Sequence, residues 1–383
     1  LEAYSELEIN FNKLNFPVYA EMIMGLPGET YDSWVDGLTS LIDTSVNNQI
    51  FIYQAEIYPN TEMNEPQYKK KHGIKSTRIK LNEIHCSPRE QEWLKEYQDI
   101  ITETACMDVE DWKKRNLFSV LLMVMHSFKV GYYYINYFTK ELNMSSKKFL
   151  EAIIDFSNPK DTPFIYEKVI GTIENWTDDI LKGGGRGIYD ERYSDVYLDP
   201  EEFIFIELSN NWVMLYDELD IIIKKLLLKE KKYEENKFIL NDIKKYQILR
   251  MPKVNGENQT VDFDYSIAEY MLNNISKKTV EIKKIKNTIS SINVENYKSD
   301  FHSFVKFKII WARKSDKIKN EIDYDFKISQ LKRKEGTENE SDISNLEKVI
   351  FDKKKINPTL FEKQNKFEKY QSLKTELKNN RKL

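Results

Sequence analysis

The sequence predicts an α/β beginning followed by a mainly α-helical body, on three observations. Residues 17–24 form a short apolar segment ending at Gly25, residues 49–58 alternate with period two, and beyond residue 88 apolar side chains recur at helical spacing over long stretches. Taken in order, Tyr4, Leu7, Phe11 and Leu14 mark a first helix and Pro17–Met24 a strand. Tyr31, Trp34, Leu38, Leu41 and Ile42 mark the helix after it. In the next strand Phe51, Tyr53, Ala55 and Ile57 share one face, and Ile50, Ile52, Gln54 and Glu56 the other. Two strands joined through one helix make a right-handed, parallel βαβ unit whose ligand side lies beyond the strands' carboxyl ends.

A helix is expected to close at Gly73, and Ser87-Pro88 reads as the cap and first residue of a new one. Helical stretches are then predicted at about 88–105, 108–141, 146–157, 162–182 and 199–236, with Ser145 or Ser146 and Asp161 or Thr162 as start signals. Lys182-Gly-Gly-Gly-Arg-Gly187 lacks the Gly-Lys-Ser/Thr ending of a phosphate loop and reads as a flexible connector. After Lys314 the chain is charged and poor in apolar residues. Gly336–Ser341 looks like an exposed linker, and 342–383 like marginal helices.

The turn that ends the first strand reads Glu21-Met-Ile-Met-Gly-Leu-Pro-Gly-Glu-Thr30. It resembles the fifth-strand segment of radical S-adenosylmethionine (SAM) enzymes, especially those with a cobalamin (B12)-binding domain. Glu21, Ile23, Gly25, Leu26, Pro27, Gly28, Glu29 and Thr30 carry the match, and Tyr58-Pro59-Asn60-Thr61 resembles the turn after the sixth strand, with asparagine in place of glycine. The resemblance implies that residues 1–84 are the last two βα units of a partial TIM-type radical SAM barrel. A mainly helical carboxyl-terminal region would follow over 85–314, and a charged, partly helical or disordered tail over 315–383. Phrases such as Ser87–Glu90, Asp199–Glu202 and Phe263–Tyr270 continue the family's pattern loosely.

By the same resemblance, Ile23 packs against the adenine of SAM. Gly25, Leu26, Pro27, Gly28 and Glu29 shape the wall beside it, and Ile57, Tyr58 and Pro59 approach the nucleoside. Glu21 stands where the family's pattern has a glycine, and Glu29 is displaced by one position. In this family a [4Fe–4S] cluster cleaves SAM to a radical that abstracts a substrate hydrogen; methyl transfer with cobalamin is one outcome. The cluster needs three closely spaced thiolates. Cys86 and Cys106 are the only cysteines and lie twenty residues apart, so the ligands are expected in a missing amino-terminal part, and the chain alone is expected to be inactive.

The remaining candidates read mainly as structure. His126 lies among Leu121, Leu122, Val124, Met125 and Phe128 and suits a core histidine, with acid/base work or cobalt ligation the alternative. His85 and Cys86 lack partners at zinc spacing. The aromatic run Gly131–Phe138 suits a core helix, with stacking on a planar substrate the alternative. Alternation leaves open whether Glu21 and Glu56 face the barrel. A net charge of −4 predicts no nucleic-acid partner, although from Trp311 onward 19 Lys and Arg face 13 Asp and Glu. No apolar run is long enough to span a membrane, and two cysteines without a leader suggest a reduced, cytoplasmic setting. A small-molecule substrate is expected. A non-catalytic helical interaction protein with a truncated α/β start is the other reading.

Overall fold

The structure is a computed structural model that describes residues 19–84, apart from 44–48, and then 87–88, 94–193, 197–251, 260–275, 280–291 and 331–333. The helix expected over residues 4–14, the pair His85-Cys86 and nearly all of the tail lie outside the described residues.

Strands β1 (Ala20–Met24) and β2 (Ile50–Gln54) run parallel with Ala20 opposite Ile50 and Met24 opposite Gln54, and helix α1 (Tyr31–Asp43) connects them. This is the expected βαβ unit. One face of the pair carries Ala20, Met24, Ile50 and Gln54, all buried against helices. Trp34 of α1 donates its indole N–H to Ser119 Oγ at 2.9 Å, and Gln54 donates to Asn116 at 2.8 Å. At Ile50 both backbone groups bind the hydroxyl of Ser127, each at 3.0 Å. The opposite face carries Tyr19, Glu21, Ile23 and Tyr53 and is exposed. Among the described residues no further strand pairs with β1 or β2, and there is no closed barrel.

The second strand differs from its expected form, because residues 50–57 serve two sheets. At Ala55 the chain leaves the parallel pair; its N–H donates to Met24 O and its carbonyl accepts from Ile101 N–H, both at 2.9 Å. Beyond it β3 (Glu56–Ile57) joins an antiparallel sheet with β5 (Tyr97–Glu103) at the centre and β4 (Lys75–Lys80) on the far side. Helix α2 (Pro66–His72) precedes β4 and ends at Gly73 as expected.

The helix expected over 88–105 is absent from its described portion. Ser87–Pro88 forms a two-residue antiparallel pairing with Glu83–Ile84, and 97–103 is the central strand β5. Ile100, Ile101 and Thr102 are all buried, because this part of the strand is covered on both faces. A strand of that kind has no alternation to read.

Most of the rest is helical, as expected, apart from one antiparallel strand pair near residues 260–291. Helix α3 (Val109–Leu122) starts at Asp108, whose carboxylate accepts from the Asp111 N–H, and continues as a π-helical turn, Met123–Ser127. Lys129 at φ +65° breaks the single helix expected over 108–141, and α4 (Tyr132–Lys140) restarts after Gly131. Helix α5 (Ser146–Phe156) begins after Ser145, which stands at the N-cap position without a side-chain capping bond. The next run starts with Pro163–Ile165, passes through a π-helical turn, Tyr166–Gly171, and ends as α6 (Thr172–Leu181). The stretch expected over 199–236 divides at Asn211 into α7 (Pro200–Ser209) and α8 (Trp212–Lys229), and α9 (Tyr233–Arg250) follows. Asp199 and Glu202 form a reciprocal capping box at the start of α7. Helix α10 (Ile267–Ile275) lies between β6 (Thr260–Tyr265) and β7 (Lys284–Ser291), which pair antiparallel. No described helix is long and apolar enough to cross a membrane.

The glycine cluster is a packed loop, which corrects its reading as a flexible connector. Gly183 sits at φ +83°, and a Cβ there would lie 3.2 Å from the carbonyl oxygen of Arg78. Trp176 donates its indole N–H to Arg186 O at 2.7 Å, and Lys80 N–H reaches Gly184 O at 3.3 Å. The glycines let this backbone lie against β4, which a sequence reading mistakes for looseness. Gly183→Ala should therefore cost about 1–3 kcal/mol, the usual range for a side chain forced into such a conformation. A urea midpoint equal to that of the parent would show that the loop is not held against the sheet.

Candidate functional site

The turn at the carboxyl end of β1 is built by its own sequence. Gly25 at φ +93° lets the strand reverse, and Glu29 N–H closes the turn on Leu26 O at 3.3 Å. Thr30 and Ser33 then cap α1 mutually: Thr30 N–H donates to Ser33 Oγ at 2.9 Å and Ser33 N–H to Thr30 Oγ1 at 3.2 Å. The Glu29 side chain folds back, and its Oε2 accepts from Gly25 N–H at 3.3 Å.

Behind the turn lies Arg115 of α3, fully buried. Its Nη2 donates to Glu29 O at 3.0 Å and to Cys106 O at 3.3 Å, and its Nη1 lies 3.5 Å from the Glu29 carboxylate. Burial pushes the Glu29 carboxyl above its ordinary pKa, while the Gly25 N–H and Arg115 pull the other way without cancelling it. Burial likewise lowers the Arg115 pKa, opposed by Glu29.

A group whose pKa is raised by folding contributes stability that is complete below its unfolded value and is lost as pH rises through the native one. Glu29→Gln keeps an acceptor for Gly25 but does not ionise. Its stability relative to the parent should therefore improve as pH rises from the ordinary glutamate value toward neutrality. Urea midpoints measured across that window check this; a constant difference would mean that the carboxyl is not held in a desolvated place.

Of the predicted site residues, Ile23 is 50% exposed, Leu26 39% and Tyr58 59%, and Pro59 and Gly28 are uncovered or partly so. With Tyr53 at 45%, the carboxyl ends of the two strands present an apolar shelf to solvent. Pro27 is on the rim. Ile57 points the other way and is buried in the core, and Glu29 is turned inward. Glu21 stands exposed on the open face of β1, whereas Glu56 is taken by an ion pair with Arg186 of the glycine loop. The neighbouring Glu56 charge raises the Tyr58 pKa.

Arg115 and Arg186 are the polar residues that sequence reading missed. Arg115 follows Lys113 and Lys114 in a run that looks like a solvated helix face, and only the buried Trp112 and Asn116 beside it hint otherwise. His126 is buried in the π-turn against the Tyr132 ring at 5.7 Å. The aromatic run Tyr132–Phe138 belongs to the core.

Ile23 and Tyr53, opposite each other on the two strands, expose apolar faces of the kind that packs against a flat ring. The donor set does not suit an iron–sulfur cluster: the sequence has two cysteines, and Cys106 stands exposed in the turn after β5. No group of three or more His, Cys, Asp or Glu among the described residues could hold a metal ion.

No family model matches the chain. Among characterised proteins it is 24% identical over 156 residues to the cobalamin-dependent radical SAM methyltransferase TokK of Streptomyces tokunonensis, a match covering 41% of this chain and 23% of that protein. It is 30% identical over 114 residues to a 2-(S-pantetheinyl)-carbapenam-3-carboxylate methyltransferase of Streptantibioticus cattleyicolor, covering 29% of this chain and 16% of that one. The chain therefore spans about a quarter or less of the length of these relatives. The names of these relatives agree with the family-level resemblance read from the Gly-Leu-Pro-Gly-Glu-Thr turn.

Proposed function

We propose that this chain forms the closing strands of a radical SAM barrel and the helical region after them, in an enzyme that transfers a methyl group with the help of cobalamin. The observation that carries the reading is the exposed apolar surface of Ile23, Leu26 and Tyr53 at the carboxyl ends of two parallel strands, beside a turn that glycine alone takes without strain. Ligands of α/β proteins bind at that end of the strands. The names of the two relatives, both methyltransferases, support the reaction class.

In this reading SAM supplies the radical chemistry, and the chain's residues bind and orient it. Ile23 and Leu26 offer apolar surface to the adenine, and Tyr58 borders the nucleoside at the end of β3. The Gly25–Glu29 backbone forms the adjoining wall. Neither the two cysteines nor any described cluster of side chains fits an iron–sulfur centre, so no step through the cluster is assigned to these residues.

Two measurements test the proposal. Anaerobic reconstitution of this chain with iron and sulfide should give no stable, stoichiometric cluster by visible absorption or iron analysis, because three close thiolates are lacking. A stable cluster would overturn the assignment of its ligands to other residues. In the cluster-containing protein that carries this sequence, a photoreactive adenine analogue of SAM should label peptides holding Ile23–Thr30 or Tyr53–Pro59. Labelling confined elsewhere would remove the shelf from the cofactor site.

A further inference from the structure

Arg115 stands apart from the other cations of its helix. Lys113 and Lys114 reach solvent, Lys113 pairing with Asp178 at 2.6 Å, whereas the Arg115 side chain is 0% exposed. A guanidinium has five N–H donors and keeps its charge, so burying it is unfavourable unless those donors are used. Here they are used unevenly. Nη2 serves the carbonyls of Glu29 and Cys106, whereas Nη1 lies 3.5 Å from the Glu29 carboxylate without a hydrogen bond and Nε has no hydrogen-bond partner either. As filler, a leucine or methionine would sit there without unmet donors.

What arginine does here, and an apolar side chain cannot, is join two turns. One is the strand-end turn, gripped at the Glu29 carbonyl and carboxylate. The other is the tight turn after β5, gripped at Cys106 and closed between Thr104 and Met107. The two turns also touch, since the Cβ position of Gly25 lies 3.4 Å from Met107 Cε. The Glu29 carboxylate passes the constraint on to the Gly25 N–H. The chain of contacts therefore runs from helix α3, through one guanidinium, to the residue at which the strand reverses.

We propose that Arg115 is a positioning residue for the candidate cofactor wall. From the helical region it fixes where the Gly25–Glu29 backbone stands, and with it the attitude of Ile23 and Leu26 toward a nucleoside. It lies behind the wall and touches no ligand. The functional half of this proposal rests on the turn being part of a SAM site; the structural half does not.

The test uses Arg115→Met and Arg115→Lys with two readouts. In the 383-residue chain, hydrogen–deuterium exchange of the peptide containing Gly25 is compared with that of β6, a remote strand. Arg115→Met should speed exchange at the turn by roughly tenfold or more while leaving β6 unchanged, since one hydrogen-bonded link of about this strength is lost locally. In the cluster-containing protein, SAM affinity should fall by about tenfold, and Arg115→Lys should recover part of it, because an ammonium can reach one carbonyl but cannot fork to both turns.

Equal acceleration at both peptides would reduce Arg115 to a general stabiliser and overturn the proposal, as would unchanged exchange at the turn. Gly25→Val serves as the control for the underlying reading. If it leaves SAM affinity untouched, the turn is not a cofactor wall, and the exchange arm still decides whether Arg115 holds it. If Gly25→Val weakens SAM binding while Arg115→Met changes neither readout, only the positioning role is lost.

Discussion

Gly25→Val should abolish the function proposed for this turn and also weaken the isolated chain. At φ +93° a β-branched residue is strained by about 1–3 kcal/mol, and its methyl groups would extend beyond a Cβ already in contact with Met107 Cε. Gly28 separates the two causes. It has nearly the same φ, +90°, yet a Cβ there meets nothing within 4 Å. Gly28→Val should therefore show the backbone strain alone, and Gly25→Val the strain together with the crowding. On the proposed function, Gly25→Val in a cluster-containing protein carrying this sequence should weaken SAM binding by roughly tenfold or more and suppress 5′-deoxyadenosine formation at equal cluster content. Urea denaturation and SAM binding of the two variants give the comparison. Equal losses of stability would exclude crowding at Met107, and unaltered SAM binding by Gly25→Val would detach the turn from the cofactor.

Trp112→Ala should give the largest loss of stability. The indole is completely buried on α3, the helix that packs against α1, α5, α6 and β5. Truncating a core tryptophan costs about 3–5 kcal/mol through lost burial and the cavity left behind, a large part of the roughly 5–15 kcal/mol that holds a typical domain together. The indole N–H of Trp112 has no hydrogen-bond partner, so Trp112→Phe loses volume but relieves an unmet donor. It should be much the milder change. Thermal or urea unfolding orders the two, and an equally severe loss in Trp112→Phe would show that volume lost does not set the cost.

What was legible in the sequence was local. The β1 turn was readable because glycines, proline and the strand before them act over a few residues. The parallel pairing with β2 follows from the connecting helix, and of the start signals Ser145 or Ser146 and Asp161 or Thr162, Ser145 and Thr162 stand at the N-cap positions. The failures share a different cause. Strand β5 reads as helical in the sequence because burial of Ile100, Ile101 and Thr102 on both faces removes alternation there. The break at Lys129 depends on Phe128 N–H reaching back to Met123 O across a wide turn, a backbone event with little compositional trace. Arg115 and Arg186 were invisible as site residues because their partners, Glu29 and Glu56, are 86 and 130 positions away. The family resemblance puts Ile57 beside the nucleoside, but beyond the change of sheet at Ala55 its side chain lies buried in the core.

That change of sheet carries one more consequence. Ala55 gives its N–H to one sheet and its carbonyl to the other, so the registers of the two are interlocked at a single peptide. A one-residue slip in either would turn inward-facing side chains outward and would also strip the other sheet of a bond. The same peptide thus works as a dowel between two boards: the parallel pair that bears the shelf cannot slide along its axis unless the antiparallel sheet slides with it.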